Sequence, residues 1–217
     1  MLYVYAFVEP PAAIPNVAGV DGAPLECEHT TRLDAVVSRH EAPIAPQEAA
    51  IVAHAAVVEA LAGSNDAVLP ARFGGGYRDS DSLRRELGER ATELAAALGR
   101  VRGCVELGVR VLAPARQAVA TASGTDYMRA RLEHRREVER VADELHAPLA
   151  KLAREATRAV GATPRLLLSA TYLVPRRETT AFAEAVQTLQ VEHPELAIVC
   201  TGPWPPYSFV TAEAAST

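Results

Sequence analysis

Gly103-Cys104-Val105-Glu106-Leu107-Gly108-Val109-Arg110-Val111 is the stretch on which the fold turns. Val105, Leu107, Val109 and Val111 share one face of an extended chain with Val101 ahead of them. Arg102, Cys104, Glu106 and Arg110 share the other. A period of two is the strand period, and a one-sided apolar pattern belongs to a sheet packed on one face. Pro114 ends the run, because it has no backbone donor for the ladder. Upstream, Asp79 or Ser80 caps a helix with Leu83, Leu87, Ala91, Leu94 and Leu98 at helical spacing. Before it lie a short strand, Val68 to Phe73, and a Gly74-Gly75-Gly76 turn. Downstream, Leu166 to Val174 reads as a strand. Thr179 or Thr180 opens a helix with Phe182, Val186 and Leu189 inward, ended by His193-Pro194. Leu196 to Cys200 reads as the last strand.

Between these elements Gly124 to Gly161 is highly charged and reads as helical. Its apolar stripe runs Met128, Leu132, Val138, Val141, Leu145, Leu149, Leu152, Ala156 and Val160, and Pro148 predicts a kink or break. Pairs such as Glu137/Arg140 and Arg140/Glu144 add only about 0.2–0.5 kcal/mol each and mark a solvated helix. Leaving that segment out gives strand 68–73, helix 80–99, strand 101–112, strand 164–174, helix 179–193 and strand 196–201. This is the βαββαβ, ferredoxin-like order.

The expected fold class is therefore α+β with two domains. Residues 1–63 form an N-terminal α+β domain with strands 2–8, 25–30 and 33–39 and a helix opened by Pro46. Residues 64–201 form a modified ferredoxin-like domain with a helical insertion, 114–162. Residues 202–217 form a proline-aromatic tail expected to pack between the domains. Gly202-Pro203-Trp204-Pro205-Pro206-Tyr207-Ser208-Phe209 holds the only tryptophan. Its prolines exclude helix and central strand and predict an extended crossing. Two readings stand for its aromatics: a plug that buries them in the body, or a docking strip for a partner.

The chain has 217 residues, 49% of them apolar, and a net charge of -5. That is an ordinary globular composition, and the acidic balance argues against a general nucleic-acid binder. No apolar run approaches the roughly 20 residues of a membrane helix, and no signal peptide is visible. Cys27, Cys104 and Cys200 are far apart, and no paired spacing suggests a metal site. A cytoplasmic protein with reduced thiols, no metal and no cofactor is expected. Gly74-Gly75-Gly76-Tyr77 lacks the Gly-Lys-Ser/Thr ending of a phosphate loop, and no serine sits in a nucleophile elbow. His54 lies near the apolar face of its helix and reads as a packed, hydrogen-bonded histidine. Arg72 and Glu106 come from strands expected to be neighbours. They could pair to fix register or offer a polar spot to a partner.

Four blocks in order carry a family resemblance: Tyr3-Val4-Tyr5-Ala6-Phe7-Val8, Val68-Leu69-Pro70-Ala71-Arg72-Phe73-Gly74, the strand quoted first, and the proline-aromatic tail. Together they resemble the gas vesicle protein F/L family over nearly the whole chain. Gly75-Gly76-Tyr77 departs from that pattern, where a Thr and a hydrophobic pair would be expected. The resemblance implies a non-enzymatic accessory protein of gas vesicle formation. Its partners would be the very hydrophobic shell protein and other accessory proteins. Arg72, Phe73, Gly74, Glu106, Trp204, Pro205, Pro206, Tyr207 and Phe209 are the candidate partner-binding or structural residues, and no catalytic set is expected. The alternative is a small enzyme or ligand-binding protein on a ferredoxin-like scaffold, since such scaffolds host many functions.

Overall fold

The computed structural model describes residues 1–114, 124–161, 163 and 165–210. Residues 115–123 and 162 of the expected insertion and 211–217 of the tail lie outside the described residues. The fold is mixed α+β, and the chain divides into two compact units. One is Met1–Cys104 together with the C-terminal segment that starts at Trp204. The other is Val105–Pro203.

In the first unit, β1 (Leu2–Val8) is buried along its whole length. It is flanked by strands on both sides, which is why it reads as an unbroken apolar run. β2 (Glu26–His29) pairs with β3 (Asp34–Arg39), and β3 pairs antiparallel with β1. The register slips between Val4 and Ala6, so Tyr5 sits in a bulge. α1 (Glu48–Ser64) packs Val57, Val58 and Leu61 into the core with Tyr3, Tyr5 and Val36. β4 (Val68–Pro70) pairs with Ala6–Val8, and β5 (Gly76–Tyr77) with Leu2 and Tyr3. Gly76 is required there: a Cβ would stand 2.5 Å from Met1 Cε and 2.9 Å from the Leu2 carbonyl oxygen. The expected single helix over 80–99 is two, α2 (Ser80–Glu89) and α3 (Ala91–Val101), broken at Arg90. Asp79 is the cap, accepting from the Ser82 N–H at 2.8 Å in a capping box.

The second unit is built from β6 (Cys104–Leu112), α4 (Gly124–Ala150), β7 (Glu155–Val160), β8 (Leu166–Pro175), α5 (Thr179–Glu192) and β9 (Ala197–Trp204). Its sheet order is β7-β8-β6-β9. The alternation on β6 holds, with Val105, Leu107, Val109 and Val111 buried. Against Leu107, Val109 and Val111 pack Val138, Ala142, Leu145 and Leu149 of α4, and Phe182, Val186 and Leu189 of α5. Gly108 admits β9, since a Cβ there would lie 2.7 Å from Thr201 Oγ1.

Several expectations need correction. Strand 68–70 and helices 80–89 and 91–101 belong with the first unit, so they do not build the expected βαββαβ set. The unit boundary falls at Cys104/Val105 rather than near residue 63. Val101 closes α3 instead of opening β6, and Gly103, at φ +67°, makes the turn between them. The charged segment is not a detachable insertion: Val138, Ala142, Leu145 and Leu149 of α4 are core, and Glu155–Val160 is a strand, not helix. Pro148 sits in the last turn of α4, where it ends the helix instead of dividing it.

Candidate functional site

The Ala71-to-Gly74 block bows between two short strands that pair with one strand, β1. The bow is tied at both ends: Ala71 N–H donates to the Tyr5 carbonyl at 2.9 Å, and Val4 N–H to Gly75 at 3.1 Å. Inside it, the buried ring of His54 faces the Ala71 carbonyl from Nε2 at 3.1 Å. A carbonyl only accepts, so Nε2 carries the proton and Nδ1 accepts from the Tyr3 hydroxyl at 2.9 Å. The same hydroxyl oxygen accepts from Gly74 N–H at 3.3 Å. Phe73 packs edge-on against Tyr3 and His54, with ring centres 5.9 and 5.8 Å away. Gly74 adopts φ +89°, which favours glycine. Burial pushes the Tyr3 hydroxyl up to about 12 and lowers His54 below its ordinary value. Both groups are thus neutral at neutral pH, and the cluster is a hydrogen-bonded core device. It confirms the packed reading of His54.

Arg72 is exposed in this bow, after β4 of the first sheet. Glu106 is half-buried on β6 of the second. β4 neighbours β1, and β6 neighbours β8 and β9, so the expected pairing across adjacent strands is not the arrangement found. Two clefts of about 260 Å³ each are lined by residues such as His40 and Glu41, or Asn65 and Asp66. Neither includes Arg72 or Glu106.

In the tail, Pro205, Pro206 and Phe209 are buried. Arg100 donates to the Phe209 carbonyl. Trp204 and Tyr207, in contrast, are 47% and 42% exposed. The plug reading is right for Phe209 and wrong for Trp204. Other large apolar side chains on the surface include Ile51 and Val52 of α1, Tyr127, Met128 and Leu132 of α4, Val191 of α5 and Val199 of β9. Every residue of α4 from Gly124 to Glu137 is exposed. Sequence reasoning missed Glu28. It is 5% exposed and accepts from Ser80 Oγ at 2.5 Å, Arg84 at 2.7 Å and Arg39 at 3.3 Å. Its place in a short strand gave no sign of those distant partners.

The family model described as gas vesicle synthesis protein GvpL/GvpF matches residues 1–211. The chain belongs to the GvpL/GvpF family. Gas vesicle protein F2 of Halobacterium salinarum is 33% identical over 215 residues, covering 96% of this chain and 91% of that protein. Gas vesicle protein L of a Streptomyces species is 34% identical over 182 residues, covering 72% and 67%. The crystal structure of GvpF from an Anabaena species superposes with a TM-score of 0.79 at 18% identity. It covers 100% of this chain and 96% of that one, and shows a shared fold. Among the described residues of this GvpL/GvpF member, no helix is long and apolar enough to cross a membrane.

Proposed function

We propose that this protein is a non-enzymatic assembly factor that binds the hydrophobic gas vesicle shell protein and other accessory proteins. It acts in the cytoplasm and at the growing vesicle, aiding nucleation or keeping the shell protein assembly-competent. The observation that carries the reading is strand β9. It is an edge of its sheet, seven of its eight residues are exposed, and Ala197 to Trp204 holds no charged side chain. Edge strands are ordinarily blunted by charge, as Glu155 and Arg158 do on the opposite edge, β7. An uncharged edge with Val199 outward is suited to accept an added strand from an apolar partner. The exposed apolar residues of α4 and the half-exposed Trp204 and Tyr207 add surface of the same kind. The βαββαβ order and the sheet order β7-β8-β6-β9 support a ferredoxin-like reading of the second unit.

The test is co-expression with a gas vesicle shell protein followed by co-purification. Apolar and main-chain contacts lose little to salt, whereas exposed ion pairs are screened over a Debye length of about 10 Å at 0.1 M. Capture should persist at raised salt, and Val199→Lys should weaken it. Loss of capture on modest salt addition would shift the contact to the charged helix. Failure to capture any shell or accessory protein would overturn the reading.

A further inference from the structure

Cys27 and His29 stand two residues apart on β2, so both side chains leave the same face of the strand. The pairing with β3 sets Asp34 directly opposite His29. His29 Nδ1 donates to Asp34 Oδ1 at 2.9 Å, and Cys27 Sγ lies 3.5 Å from the same nitrogen. The three donor atoms lie within 4.8 Å of one another. Asp34 is 1% exposed and its second oxygen, Oδ2, accepts from Ala12 N–H at 2.9 Å. That bond fixes the carboxylate and leaves Oδ1 turned to His29. Cys27 is half-buried and His29 exposed, which leaves the cluster open on one side.

Atoms held 2.0–2.3 Å from a tetrahedral metal stand about 3–4 Å from one another. The nitrogen–oxygen and sulfur–nitrogen separations here are already close to that spacing. We propose that Cys27 Sγ, His29 Nδ1 and Asp34 Oδ1 form a divalent transition-metal site suited to Zn(II), with water completing the coordination. The donor set is a thiolate, a neutral imidazole and a carboxylate, so its two negative charges balance the dication. On binding, the Cys27 proton passes to solvent and the imidazole proton moves to Nε2. Without a cation, burial and the Asp34 carboxylate push the Cys27 thiol up to about 12. The hydrogen-bonded triad is then the resting form. With it, the ion clips β2, an edge of the first sheet, to β3.

The full-length chain, reduced and stripped of metal, is titrated with Co(II) and then Zn(II). The expected result is a thiolate-to-cobalt charge-transfer band with tetrahedral ligand-field bands, saturating at one equivalent and displaced by Zn(II). Cys27→Ser should remove the charge-transfer band and lower affinity by about tenfold or more. Cys200→Ser should change neither. If Cys27→Ser does not fold, as judged by its metal-free melting midpoint, His29→Gln at an exposed position carries the same comparison. No thiolate–cobalt band with excess metal, or a band that survives Cys27→Ser or His29→Gln, overturns the site.

Discussion

The Tyr3 hydroxyl donates to Nδ1 of His54 across 2.9 Å, from the first strand of the chain to its first long helix. With Gly74 N–H on Tyr3 and Ala71 on His54, the two side chains hold both ends of the Ala71-to-Gly74 bow. Removing one member of such a buried set leaves the others without partners. Tyr3→Phe should therefore cost about 1–3 kcal/mol of unfolding free energy. Urea denaturation checks this, with an unchanged midpoint counting against the network.

Acid should act on the same ring. His54 is lowered by burial, so the folded state resists a proton that the unfolded chain accepts near its ordinary value of 6.5. Its stabilising contribution is complete above that pH and declines as pH falls from about 6.5 toward the lowered value, by at most about 1.4 kcal/mol per pH unit. His146 is lowered too and works in the same direction. Comparing His54→Gln with the parent across pH isolates the first ring; parallel curves would refute its role.

The two halves of α4 should respond differently to truncation. Leu145→Ala removes a side chain that is 1% exposed in the second core, and should cost about 2–5 kcal/mol. Leu132→Ala, 55% exposed, should stay within about 0.5 kcal/mol. Equal losses would mean that the first half is also packed.

The tail should divide likewise. Phe209→Ala should cost about 3–5 kcal/mol, because the ring is 2% exposed. Trp204→Ala should cost well under that and instead weaken partner capture. Thermal melts paired with shell-protein co-purification separate the two effects; a larger loss at Trp204 would contradict the exposure found.

Local patterns were readable wherever one face met a core. The β6 alternation from Val105 to Val111 and the Asp79 cap lie where the sequence places them, while the helix expected to open at Pro46 begins at Glu48. Glu155–Val160 misled because Ala156 and Val160 are four apart, and they extend the helical stripe of Leu149 and Leu152. An edge strand with few apolar residues offers no competing period. Sheet membership was hidden for a different reason. Which strand Val68–Pro70 joins depends on pairing with residues some sixty positions away, which no local period encodes. That error put Arg72 beside Glu106. The Cys27/His29 spacing shows that the two share a face. Asp34 joins them only through the β2–β3 register. The exposure of Trp204 beside the burial of Phe209 likewise depends on packing that composition does not specify.

The first unit is interrupted between Cys104 and Trp204 and resumes with the last segment of the chain. Its sheet is synthesised early, but Phe209 and the carbonyl that Arg100 binds leave the ribosome about 100 residues later, a delay of roughly 5–20 s at usual translation rates. The second unit is itself completed only by β9, which is made just before that piece. A nascent chain of this protein therefore carries an unfinished apolar seat until Phe209 has emerged, and loss of the last described residues would injure the part made first.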